Sequence, residues 1–122
     1  MIKRTLNLSV RIINMVTYLP KTSVSRMITN QILRSATSIG ANYRAACRSK
    51  SLKDFVNKLK IAEEEADETL YWLEVIESVG LFRSGKIYPL KTELNELIAI
   101  FVSSIKTAKL NMLKKGKTEG NC

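Results

Sequence analysis

Helix breakers are scarce in this sequence and fall in clusters, which constrains its fold more than any other feature. The prolines are Pro20 and Pro89, and between Pro20 and Gly80 the only glycine is Gly40. Long stretches without breakers favour helices. The interruptions, at Leu19 to Thr22, at Arg48 to Ser51 and at Gly80 to Gly85, divide the chain into four segments. Helix is disfavoured at the residue before a proline, so the first segment is predicted to end near Tyr18 or Leu19. Ser51-Leu52-Lys53-Asp54 reads as a capping box that opens the third. Gly80 supplies a left-handed residue to close it. Pro89 is tolerable in a first turn, which predicts a fourth helix starting close to residue 86.

At 100° per residue each segment carries an apolar stripe. The second places Val24, Ile28, Ile32, Ala36, Ile39 and Tyr43 on one face. The third places Phe55, Leu59, Ala62, Ala66, Leu70 and Leu73 together, and the fourth Ile87, Leu90, Leu94, Leu97, Phe101, Ile105 and Ala108. Long amphipathic helices with short connections predict an all-α, up-down antiparallel four-helix bundle over residues 1–113. Residues 114–122 are polar and lysine-containing and are expected to form a disordered basic tail.

The first segment has two stripes. Leu6, Val10, Ile13 and Val16 are read as its core face. Leu8, Ile12, Met15 and Leu19, on the far side, are read as a subunit contact together with Ile61, Trp72 and Val75 of the third segment. The alternative is a first helix ringed by its own neighbours. The preferred reading makes the chain one subunit of a ring-shaped homo-oligomer, because a head-to-tail contact either closes or polymerises.

Composition narrows the chemistry. The chain has no histidine, which removes Ser-His-Asp and Cys-His triads and the commonest metal ligand. No phosphate-cradling Gly-x-x-x-x-Gly-Lys-Ser/Thr occurs. Glu63, Glu64, Glu65, Asp67 and Glu68 resemble a metal-binding carboxylate cluster only superficially. A di-iron bundle needs Glu-x-x-His aimed inward, and the inward positions here are Ala62 and Ala66. No catalytic residue, metal, cofactor or small-molecule substrate is expected. Cys47 and Cys122 form neither a disulfide framework nor a zinc site and are expected to be reduced thiols. No apolar run approaches a membrane span and no secretory signal is recognisable, so a cytoplasmic protein is expected.

Charge is distributed in blocks. Residues 1–60 hold twelve Lys/Arg against Asp54 alone, residues 61–99 nine acids against three cations, and residues 100–122 five lysines against Glu119. Within a chain of net charge +9 this asymmetry predicts an anionic partner or complementary self-association. Arg26, Arg34, Arg44 and Arg48 fall within a sector roughly 200° to 280° from Val24, opposite the apolar face. Lys50 and Lys53 extend that stripe. Two readings stand. Arg34, Arg44, Arg48, Lys50 and Lys53, aided by Lys3 and Arg4, hold RNA or DNA phosphates. Alternatively the stripe pairs with the acidic face of the third helix, in the same subunit or a neighbour.

Three blocks carry a family resemblance: Arg34-Ser35-Ala36-Thr37-Ser38-Ile39-Gly40-Ala41-Asn42-Tyr43-Arg44, then Asp54-Phe55-Val56-Asn57-Lys58-Leu59, then Glu65-Ala66-Asp67-Glu68-Thr69-Leu70-Tyr71-Trp72-Leu73-Glu74. In this order they resemble the four-helix bundle proteins first noticed in intervening sequences of bacterial large-subunit ribosomal RNA genes, over about residues 6 to 110. The resemblance implies a cytoplasmic bacterial protein that assembles as a homopentamer. Similar in fold are the accessory variability proteins of diversity-generating retroelements, basic pentamers that bind nucleic acid and a reverse transcriptase. Ala45 departs from the pattern, standing where members tend to carry Glu, which leaves the arginine stripe less neutralised. The expectation is a non-enzymatic homo-oligomer that binds nucleic acid or a nucleoprotein. The alternatives are an adaptor for a protein such as a reverse transcriptase, with charge only steering association, and a structural element with no specific ligand.

Overall fold

The computed structural model describes residues 1–114. They form four helices, α1 (Ile2–Val16), α2 (Ser23–Cys47), α3 (Leu52–Ser78) and α4 (Ser84–Lys114), with no strand among the described residues. Each helix packs along its sequence neighbour, and α1 also meets α4, though sparingly. Cross-helix contacts set the antiparallel register. Arg34 reaches Glu68 and Lys91 reaches Glu77, while Tyr43 of α2 meets Phe101 of α4 across the core with ring centroids 5.9 Å apart. No described helix is long and apolar enough to cross a membrane. The expected tail lies outside the described residues except Lys114, which still belongs to α4.

Local chemistry sets the helix ends. Ser51 Oγ accepts from the Asp54 amide at 3.1 Å and opens α3 as its sequence predicts. Thr22 Oγ does the same for the Ser25 amide at 3.2 Å. Each such cap contributes about 1 kcal/mol. Gly80, at φ 71°, closes α3. Its amide donates to the Glu77 carbonyl and the Leu81 amide to that of Ile76, a reciprocal pattern that satisfies two terminal carbonyls. Helix α4 starts at Ser84, earlier than expected, so Pro89 lies in its second turn. The ring there removes the amide that would pair with the Gly85 carbonyl. Gly85 is exposed, at the solvent side of this first turn, where an unpaired carbonyl costs least.

The core confirms one stripe completely. All seven predicted α4 residues are buried. On α2 the stripe holds from Ile28 to Tyr43, but Val24 is 56 % exposed and Ser25 turns inward instead. On α3 Leu70 is only half-buried, and Thr69 takes its place. Thr69 Oγ1 donates to Ser35 Oγ at 2.9 Å, and Ser35 donates to the Ile32 carbonyl at 3.3 Å, so this buried polar contact is satisfied.

Helix α1 is inverted relative to expectation except at Val16, which is buried as expected. Leu8, Ile12, Met15 and Leu19 are buried within the chain's own core and unavailable to another subunit, whereas Leu6, Val10 and Ile13 point outward with Ile2. Two equally apolar stripes give periodicity no means of choosing between them. Small polar residues decide it. Thr5 and Ser9 share the inward face; Ser9 Oγ donates to the Ala36 carbonyl at 3.2 Å, and a Cβ on Gly40 would stand 3.3 Å from Thr5 Oγ1. Helix α1 thus lies close on α2 through small side chains. A second correction concerns Cys47, which is half-buried at the end of α2 and disulfide-bonded, not a reduced thiol. Cys122 lies outside the described residues.

Candidate nucleic-acid interface

The predicted basic residues separate into two groups. Arg34 is committed to α3: its Nη2 lies 2.7 Å from Glu68 Oε2 and its Nη1 3.9 Å from Glu65 Oε1. Glu68 also accepts from Trp72 Nε1 at 3.2 Å. Burial pushes the Glu65 carboxyl up, with the neighbouring charge of Glu68 adding to it and Arg34 opposing. Trp72 and Val75 are half-buried against the core, and Ile61 is 37 % exposed. Arg4 is likewise committed. Its Nε and Nη2 donate to the two carboxylate oxygens of Glu93 at 2.7 and 2.8 Å, and Nη2 also pairs with Glu96. These hydrogen bonds hold the Glu93 carboxyl below the usual range and raise the Arg4 guanidinium further.

Arg44, Arg48, Lys50 and Lys53 form the second group. They run from the last turn of α2, across the connection, into the first turn of α3. All are exposed, and among the described residues none makes an ion pair. Lys3 is exposed too. Arg44 borders a shallow groove of about 310 Å³ between α1 and α2, floored by Thr5, Ser9 and Gly40 and edged by the outward stripe of α1. The arrangement offers unpaired cations on rigid elements beside an apolar strip. Among the described residues no group of three acids or cysteines converges to hold a metal.

Sequence reasoning missed a second basic region. Arg11, Arg83 and Lys86 line an open cleft of about 1120 Å³ at the other end of the bundle, with Tyr18 and Phe82. Arg83 and Lys86 are minority cations inside the acid-rich block, so a block sum hides them. The available signal was their position, at the loop and first turn flanking Gly85 and away from the acids of α3.

The model of the 23S rRNA-intervening sequence protein family matches residues 1–103. A crystal structure from Bacteroides thetaiotaomicron VPI-5482, of a protein with unknown function from the S23 ribosomal protein family, is 37 % identical. It superposes with a TM-score of 0.81, covering 86 % of this chain and 97 % of that one. No curated protein matches the chain.

Proposed function

Because the chain belongs to the 23S rRNA-intervening sequence protein family, we propose that it acts without catalysis, as a self-associating bundle that binds nucleic-acid phosphates at the α2–α3 turn. The observation that carries this reading is the unpaired set Arg44, Arg48, Lys50 and Lys53, held exposed where other cations of the predicted set are already taken by Glu65, Glu68, Glu93 and Glu96. Backbone recognition needs exposed cations in fixed register rather than a deep pocket. Arginine forks suit phosphate oxygens bidentately.

Self-association draws on the outward stripe of α1, where Ile2, Leu6, Val10 and Ile13 are 39 to 55 % exposed in one line. A closed ring, with five subunits as the expected number, would repeat the cationic turn and build avidity without stronger single contacts. Arg44 edges the same groove, so the subunit contact and the phosphate site would adjoin.

The test pairs light scattering with RNA and DNA affinities across a salt series for Arg44→Glu with Arg48→Glu. The expected result is an unchanged oligomer, weaker binding, and a salt slope shallower by about 2. Unchanged affinity would remove the turn from the reading, and a broken oligomer would make these arginines subunit contacts. Leu6→Lys with Val10→Lys is expected to release monomers, and a wild-type monomer at micromolar concentration overturns the self-association. A second reading, an adaptor for a protein such as a reverse transcriptase, is favoured by exposed Val24 and Met27 on α2 and Val79 just past the end of α3. It predicts partner capture that survives the arginine reversals.

A further inference from the structure

The end of α1, the α3–α4 loop and the first turns of α4 enclose the cleft of about 1120 Å³. It lies at the opposite end of the bundle from the α2–α3 turn, separated by the length of α3, about 40 Å at 1.5 Å per residue. Three separate segments aim cations at it: Arg11 from α1, Arg83 from the loop and Lys86 from α4. All three are exposed and none makes an ion pair among the described residues. No acid lines the cleft. Glu93 feels the charge of Arg11, but both its oxygens are already held by Arg4. The positive end of the α4 backbone dipole adds to the field, and Gly85 leaves its wall without a side chain.

Aromatic surface lies among these charges. Tyr18 is 79 % exposed, and Phe82 is half-buried beside the core. Cations alone would suit any anion. Cations around an open aromatic face suit a ligand with both phosphates and flat rings, which is a nucleotide unit. In a duplex each base face is covered by its neighbours, so such a face is offered by an unpaired strand.

We propose that this cleft binds single-stranded nucleic acid, stacking an unpaired base on Tyr18 while Arg11, Arg83 and Lys86 hold the flanking phosphates. The ligand class rests on the nucleic-acid reading above, and the site is separate from the α2–α3 turn. A strand that occupies both ends would gain affinity from the second site as an intramolecular event.

The test measures fluorescence anisotropy of a labelled oligouridylate and of an RNA duplex against the whole protein. Tyr18→Ala is expected to weaken oligouridylate binding about tenfold and leave duplex binding unchanged, the signature of one lost base stack. Tyr18→Phe is expected to restore it. Arg11→Gln with Lys86→Gln is expected to make the oligouridylate salt slope shallower by about 1.4. Both sites are exposed, so circular dichroism serves as the folding control. Unchanged oligouridylate affinity in Tyr18→Ala overturns the proposal, as does equal loss for both probes or displacement of the strand by oligoglutamate at equal charge. Loss in Tyr18→Ala with no loss on reversing Arg44 and Arg48 sustains the cleft and removes the turn. The opposite pattern sustains the turn and removes the cleft, and no binding of either probe to wild type overturns both.

Discussion

Arg34 and Arg44 stand on the same side of one helix, yet the fold treats them differently. Arg34 lies level with the acid-rich middle of α3, where Glu65 and Glu68 take its guanidinium. Ten residues on, Arg44 and Arg48 come level with the start of α3, where the facing charges are Lys53 and Lys58 and the lone acid Asp54 makes no ion pair among the described residues. The contrast teaches that a cation's availability is set by the neighbouring helix at that level, not by its own helix. A count of +11 over residues 1–60 averages over this difference, because the acids that neutralise Arg34 belong to the following block.

The sharpest test of that contrast reverses the charge at each position. Arg34→Glu removes two ion pairs and places a third acid beside Glu68 and the half-buried Glu65. The expected loss is about 2 kcal/mol, between the values for exposed and buried pairs. Thermal unfolding should fall by roughly 6 to 10 °C for a domain of this size. Arg44→Glu removes no partner and should stay within about 0.5 kcal/mol of wild type. Equal losses at the two positions in denaturant titrations would show that Arg44 has a structural partner after all and erase the distinction.

Arg4 and Lys3 repeat the contrast on α1 at smaller scale. Arg4 makes a bidentate pair with Glu93, whereas Lys3 is exposed and makes no ion pair among the described residues. Glu93→Gln is expected to cost about 1 kcal/mol at neutral pH, since a partly buried fork with two hydrogen bonds exceeds the typical surface pair. The Glu93 carboxyl is held below its usual range, chiefly by hydrogen bonds from Arg4. A depressed folded pKa contributes stability above the ordinary carboxylate value near 4.3 that is lost as pH falls through the folded value. The cost of the substitution should therefore shrink on acidification. A cost that is constant from neutral to acidic pH would mean that Glu93 acts through packing and not charge.

What could be read from sequence follows the same division between a helix and its neighbours. Helix α4 was legible in full because its apolar face is single, so one stripe had to be the core. Helix α1 reads inside out from sequence because Leu6-Val10-Ile13 and Leu8-Ile12-Met15 are equally apolar, and the deciding contacts of Thr5 and Ser9 with Gly40 and Ala36 are long-range. Ser51 and Gly80 act within their own turns, so their roles were visible locally. The pairing of Arg34 with α3 stood as one of two readings, because only the α2–α3 register decides which arginine meets an acid. The cleft of Arg11, Arg83, Lys86 and Tyr18 was not legible at all, since three distant segments build it.

The smallest expected effect has the opposite sign and isolates the cost of the acidic partner itself. Glu65 is the less exposed of the two acids facing Arg34. Its Oε1 is buried without a hydrogen bond, and the guanidinium stands 3.9 Å away, beyond hydrogen-bond reach. Burial pushes its carboxyl above the ordinary range, with Glu68 and Glu64 adding to the shift and Arg34 opposing it. A folded pKa raised above the unfolded value means that ionisation costs the folded state free energy at neutral pH. Glu65→Gln removes that cost together with a weak attraction to Arg34, while Arg34 keeps its short contact with Glu68. The net expectation is a gain of a few tenths of a kcal/mol at pH 7. The sign depends on pH in a defined way. As pH falls through the raised folded value, the native Glu65 takes up a proton and its penalty disappears, so the variant's advantage should fade. This is opposite to the course expected at Glu93, where the wild type's advantage fades instead. Urea titrations of both variants at neutral and acidic pH should therefore show stability differences of opposite sign that converge in acid. A destabilised Glu65→Gln at pH 7 would mean that its attraction to Arg34 outweighs its burial, making Glu65 a full partner in the ion pair rather than a strained neighbour of Glu68.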